Sequence, residues 1–156
     1  MGLPWKKLDE DCFDEVVIGE DTFAFANKHQ RFYERMAARF PKEREGLKKY
    51  VTFLKEVGDH IFGVFKGDEH KRYTYSLLSR SAYEFLNETI KDPLLRKVLS
   101  GTSLKMELHA PTLPLYTFAQ INDSFIRSAW RLRGGGSQIA DKLVEGILSM
   151  GCSFLF

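Results

Sequence analysis

The sequence predicts a mainly α-helical fold with one short antiparallel β-hairpin, an α+β arrangement of five or six helices, on three observations. Apolar residues recur at three- and four-residue spacing through most of residues 30–150, as amphipathic helices with one buried face require. Stop and start chemistry punctuates that pattern, most sharply at Asp92-Pro93 and at Gly151. Around Gly19, by contrast, two β-branched and aromatic runs flank a turn in the manner of a hairpin. With 44% hydrophobic residues among 156, the chain can bury a real core. Residues 1–156 are therefore read as one domain: a hairpin over 12–26, a helical bundle over 27–127, and a glycine turn with a returning helix over 128–156.

The hairpin is FDEVVIGEDTFAF, Phe13 to Phe25, turning at Gly19-Glu20-Asp21. Such a pair is marginal alone and should join a larger sheet or lie on helices. At Asn27 the period changes: Asn27 and Gln30 have the spacing of a capping box, and Phe32, Tyr33, Met36, Ala37 and Phe40 form a helix face that Pro41 closes. KERE at 42–45 opens the longest pattern, with Leu47, Tyr50, Val51, Leu54, Val57, Ile61 and Phe65 in one stripe of about five turns. Phe53, Phe62 and Val64 widen it, and a helix apolar on more than one side is buried between neighbours or faces lipid or a ligand.

GDEHKR at 67–72 reads as a polar surface loop, and Tyr75, Leu78, Ala82, Phe85 and Leu86 as one further helix. Asp92 as N-cap and Pro93 at the first helical position start another, which carries Leu94, Leu95, Val98 and Leu99 and ends at Gly101. LHAPTLPLY should be irregular up to Pro114. From Leu115 to Arg127 a helix turns Leu115, Phe118, Ala119, Asn122, Phe125 and Ile126 inward. Asn122 is the polar member of that face and must hydrogen-bond either a backbone group or a ligand. Finally Gly134, Gly135 and Gly136 lead to Ser137 as N-cap of a helix with Ile139, Ala140, Leu143, Val144, Ile147 and Leu148 on one face and Gly151 as C-cap; CSFLF then looks like the opening of a buried strand. A glycine turn feeding a helix N-terminus can receive an anionic or electron-rich group, and it is equally the punctuation of a plain turn. Neither a Walker loop nor a GxGxxG fingerprint is present.

Composition narrows the function. Twenty-three basic against 21 acidic residues leave a net charge of +2, which excludes a dedicated nucleic-acid binder with its concentrated basic face. Thirteen Phe, six Tyr and two Trp are a surplus that can line a pocket for a long apolar ligand or fill a core. Cys12 and Cys152, without a CxxC, are expected as free, buried thiols of a reducing compartment. MGLPWKKLDEDCF turns charged too soon for a signal peptide, and no run approaches the roughly 18 apolar residues of a membrane span. The expected location is cytoplasmic, or peripheral to a membrane through IFGVF at 61–65. No catalytic set and no metal site are found: His29, His60, His70 and His109 are scattered, and Glu56 with His60 makes an ordinary surface pair. A reaction here would need a cofactor as its reactive centre.

The segment Thr112 to Gly151, with Trp130, Arg131, Gly134 to Gly136, Ile139, Leu143 and Gly151 in order, resembles the FAD-dependent oxidoreductases of the phytoene desaturase, carotenoid isomerase and retinol saturase group. There an aromatic and Arg segment leads through a Gly-Gly turn to a helix of the pattern GGxxxLxxxL that returns to the flavin domain. FDEVVIGEDTFAFA followed by NKHQRFYERMAARFPKEREGLKKYVTFLKEV is similar to the hairpin and first helices of that group's substrate, or cap, region. The resemblance implies a substrate-binding domain that encloses a long conjugated isoprenoid while flavin carries out hydride transfer. It implies Tyr116, Phe118, Asn122, Phe125 and Trp130 as substrate lining, and Gly134, Gly135, Gly136 and Ser137 on the cofactor side. The group's N-terminal GxGxxG is missing, so the expectation is an excised middle portion whose partner is the absent flavin domain of the same polypeptide. Such a fragment is expected to be inactive and to bind no FAD of its own. The alternative from another class is a non-catalytic helical module that binds a lipid or a partner protein. A concave cavity at the glycine turn favours the first; a flat exposed stripe on the 43-to-66 helix favours the second.

Overall fold

The computed structural model describes residues 2–60, 67–106 and 112–153. They contain seven α-helices and two two-stranded antiparallel sheets, in the mainly α class with short β elements. The chain divides into two compact units: residues 9–128, and residues 1–8 with 129–156.

The larger unit opens with the hairpin of β2 (Asp14–Ile18) and β3 (Asp21–Phe25), in register Ile18 to Asp21 and Asp14 to Phe25. Gly19 sits at φ 63 in the first place of a two-residue turn, where a side chain would be strained. One face of the hairpin enters the core through Phe23 and Phe25 and so rests on helices, as an isolated pair must. Six helices follow: α1 (His29–Arg39), α2 (Arg44–Asp59), α3 (Asp68–Leu78), α4 (Ala82–Thr89), α5 (Pro93–Leu99) and α6 (Leu115–Arg127). The central pair is α2 against α6; α1 and α4 pack on both, and α3 packs on α6.

The aromatic surplus is spent largely on this core. Phe25 meets Phe32 edge-on at 5.2 Å, and Tyr50 lies among Phe32, Phe85 and Phe118. Leu47, Leu54, Val57, Leu95, Val98 and Leu99 fill the space between them. Burial pushes the Tyr50 phenol upward in pKa, which keeps it neutral. The α2 stripe is buried over Leu47, Tyr50, Val51, Leu54 and Val57. Its expected continuation through Ile61, Phe62, Val64 and Phe65, and with it the membrane contact at 61–65, lies outside the described residues. Among those described, no helix is long and apolar enough to cross a membrane.

Helix boundaries in this unit depart from the sequence reading in three places, each for a tertiary or local reason. Asn27 forms no capping box; its amide donates to the Asp9 carbonyl at 2.9 Å, tying the chain before α1, while Gln30 donates to Glu34. GDEHKR is not a loop but the start of α3, where Asp68 and Glu69 complement the positive end of the helix dipole. The single helix expected over Tyr75 to Leu86 is two. Between them Ala82 donates to the Leu113 carbonyl and Leu115 to that of Arg80, and the Ser81 hydroxyl accepts from Tyr83 and Glu84 as a new N-cap. Asp92 caps α5 as expected, accepting from Leu94 at 2.8 Å and Leu95 at 3.1 Å.

In the smaller unit β1 (Trp5–Lys7) pairs with β4 (Trp130–Leu132), Trp5 opposite Leu132, and a turn leads to α7 (Ser137–Ser149). Ser137 is the first helical residue and not the cap; Gly136 holds the N-cap position, without a side-chain hydrogen bond. Gly151, at φ 78, ends the helix: its amide reaches the Leu148 carbonyl and that of Cys152 reaches Ile147, a Schellman pattern. The expected strand after Gly151 falls largely on residues outside the described set.

Both cysteines are free, but only Cys12 is partly buried; Cys152 is exposed because α7 ends at the surface. Burial, and then the Glu15 carboxylate that accepts from Cys12 Sγ at 3.4 Å, raise the Cys12 thiol above its ordinary pKa. Ellman's reagent at mildly alkaline pH is therefore expected to titrate Cys152 several-fold faster than Cys12. Equal rates in the Cys12→Ser and Cys152→Ser variants would contradict this.

Candidate functional site

The sequence-predicted residues fall into both units. In the smaller one, Gly134 and Gly135 take φ 86 and φ 101, a backbone path that only glycine follows without strain. The Gln138 amide closes the turn by donating to the carbonyls of Arg133 and Gly135. Gly134, Gly135 and Gly136, with Trp5, Trp130 and Ile139, line an open depression of about 590 Å³. Trp5 and Trp130 are 54% and 51% exposed. Ser137 is exposed and is not among the residues that line the depression. None of the residues of α7 is buried, and Ile139, Leu143 and Leu148 stand at the surface.

In the larger unit α6 carries the other four. Phe118 is fully buried against Tyr50, and Asn122 is buried beside it. Asn122 accepts from the Thr102 hydroxyl at 2.8 Å and donates to the Phe118 carbonyl at 2.8 Å, so both ends of its amide have protein partners. Tyr116 and Phe125 are half-buried. They are the α6 aromatics with surface left to offer.

Sequence reasoning missed a polar cluster at the buried end of α6. Asp123 is 1% exposed. Its carboxylate accepts from Arg127 Nε at 3.0 Å and Nη2 at 3.3 Å, and lies 2.6 Å from His29 Nε2. Arg127 also reaches Asp59 at 2.9 Å. The hydrogen bonds that Arg127 donates to Asp123, with that to Asp59 adding, raise its pKa, so this residue stays charged. Gly58 on α2 makes the arrangement possible, since a Cβ there would overlap the Asp123 carboxylate. The i,i+4 spacing of Asp123 and Arg127 was the local signal; His29, ninety-four residues away, gave none.

His29 also lines a groove of about 720 Å³ with Gln30, Tyr33, Lys48, Val51, Thr52 and Lys55. Elsewhere, Glu56 and His60, expected as a surface pair, are not both at the surface. His60 is buried and stacks on His70 at 4.4 Å, while Glu56 accepts from the Tyr73 hydroxyl at 3.3 Å. Burial first, and the Glu56 charge second, push the Tyr73 phenol up to about 12. Among the described residues no three His, Cys, Asp or Glu side chains converge as a metal site would require.

No protein family, curated protein or solved structure gives a significant match to this chain.

Proposed function

We propose that the chain is the helical substrate-side domain of an FAD-dependent oxidoreductase similar to the phytoene desaturase, carotenoid isomerase and retinol saturase group, acting on a long conjugated isoprenoid. The observation that carries this reading is α7, a thirteen-residue amphipathic helix that follows a glycine turn and buries none of its side chains. An apolar stripe of that kind calls for another body to cover it. The flavin domain of the resembled enzymes is such a body. By contrast the stripe on α2, which a partner-binding module would offer, is taken up by the core.

The fit to FAD itself is partial. The open glycine turn and the N-terminus of α7 suit an anionic part of the cofactor. However, β4 belongs to a two-stranded antiparallel ribbon and not to the parallel βαβ unit that grips a dinucleotide. FAD is therefore assigned to a flavin domain like that of the resembled enzymes, and no step of flavin chemistry to residues of this chain. Each unit has its own surface for an apolar polyene: the larger one Tyr116 and Phe125, with Phe118 and Asn122 holding α6 behind them, and the smaller one Trp130.

Titration of the purified chain with all-trans-retinol tests the reading, because a conjugated polyene absorbs where tryptophan emits. Saturable quenching of the two tryptophans, weakened in Trp130→Phe, is expected from a preparation without flavin colour. An emission indifferent to retinol, or a chain that purifies with flavin bound, would overturn it.

A further inference from the structure

The β1–β4 ribbon has two unlike faces. Residues paired across an antiparallel ribbon point to the same side, and neighbours along a strand to opposite sides. The register of Trp5 with Leu132, Lys6 with Arg131 and Lys7 with Trp130 therefore gathers Trp5, Leu132, Lys7 and Trp130 on one face and leaves Lys6 and Arg131 on the other. Arg133 continues the second face, with its amide donating to the Pro4 carbonyl at 3.0 Å. Trp5 and Trp130, the only tryptophans of the chain, stand half-exposed and line one open depression together with Leu132. Lys6, Lys7, Arg131 and Arg133 are exposed too, and no acidic residue lies within 5–7 or 130–133. Indoles are among the side chains that gain most from leaving water, and the packing of the ribbon does not take these two in.

That order of chemistry is the order of a bilayer surface. Tryptophan collects at the boundary between acyl chains and headgroups, while Lys and Arg on the opposite, polar side of an interfacial element meet the anionic headgroups. A nucleic acid would ask for cations beside the stacking rings, since its backbone and bases are gripped in one groove. Here three of the four cations, Lys6, Arg131 and Arg133, lie on the face away from the indoles. Lys7 shares the indole face, and its long stem lets the ammonium reach back to headgroup level. We infer that this ribbon docks the chain on an anionic lipid surface, the two indoles entering the interface and the four cations holding its negative headgroups. The contact is peripheral, because strands of three residues are far too short to span hydrocarbon. It leaves the α7 stripe to a flavin domain and needs neither flavin nor polyene, so this inference and the flavoenzyme reading can each fail alone.

Because both tryptophans lie in the ribbon, the tryptophan emission of the whole chain reports on this surface alone. Vesicles of phosphatidylcholine with about one-third phosphatidylserine should shift that emission to the blue and carry the chain with them in flotation; vesicles of phosphatidylcholine alone should bind weaker by about tenfold or more. Raising the salt to about 0.5 M should release the chain, a measurement that needs no variant. Lys6→Gln/Arg131→Gln, altered only at exposed positions, should keep the parent's thermal melt and its emission in buffer, and lose about tenfold or more in affinity for the anionic vesicles. Trp5→Ser should also float poorly, whereas Lys48→Gln/Lys55→Gln on α2 should behave as the parent does. Emission and flotation indifferent to anionic vesicles, equal binding to neutral ones, or binding undiminished by salt or by the ribbon double variant would each overturn the inference. A single-stranded oligonucleotide that moves the emission where vesicles do not would overturn it as well, and would make the partner a nucleic acid.

Discussion

Gly58→Ala is expected to destabilise the helical unit by about 2–4 kcal/mol, although the same change in an ordinary helix interior stabilises by about 0.5–1 kcal/mol. The reversal follows from what stands over α2 at this position. An added Cβ would occupy the place of the Asp123 carboxylate and press on Arg127. Asp123 is short and buried, so it yields only by turning away from His29 and Arg127. Breaking a buried pair in this way costs about 3–5 kcal/mol, against which the gain in helix propensity is small. Denaturant melts of four proteins decide the matter: the parent, Gly58→Ala, Asp123→Ala and the double variant. In the Asp123→Ala background, Gly58→Ala should become neutral or stabilising. A parent chain made more stable by Gly58→Ala would show that Asp123 does not need the space.

Phe118→Ala should cost about 3–5 kcal/mol and lower the melting temperature by more than about 10 °C. Phe118 is completely buried and meets Tyr50 edge-on with ring centres 6.3 Å apart. Truncation therefore removes contacts on all sides of the ring and leaves a cavity that the central α2–α6 pair cannot easily close. Phe125→Ala, on the same helix but half-buried, should cost clearly less. Calorimetry of the two variants separates structural aromatics from those available to a ligand. A Phe118→Ala chain that melts like its parent would return this residue to the pocket.

These side chains also mark how far the sequence could be read. The hairpin turn, α5 and α6 were legible because short-range chemistry decides them: the left-handed preference of Gly19, the cap and ring of Asp92-Pro93, and an apolar period from Leu115 to Ile126. Asn27 was misread because its partner Asp9 lies eighteen residues away, outside any local pattern. The break between α3 and α4 was hidden for a similar reason, since residues 113–115 make the hydrogen bonds that divide them. Within the candidate site the glycine turn was visible, but the exposure of α7 was not. Periodicity tells which residues share a face and says nothing of what covers it. The pairing of His29 with Asp123 was out of reach for a further reason. A carboxylate amid an apolar stripe signals that a partner exists without saying where it comes from.

The β1–β4 ribbon has a consequence for how this chain can change. The Leu8 amide donates to the Ala129 carbonyl at 3.0 Å, so the polypeptide leaves the ribbon and rejoins it at neighbouring points. In chain order the ribbon is thus a socket that residues 9–128 leave and rejoin as one inserted cassette. Because closure cost grows only with the logarithm of the enclosed length, helices can be added, lost or exchanged within the cassette at small cost to its mounting. Variation among descendants of this architecture is accordingly expected to accumulate inside the cassette while the socket keeps its two paired strands.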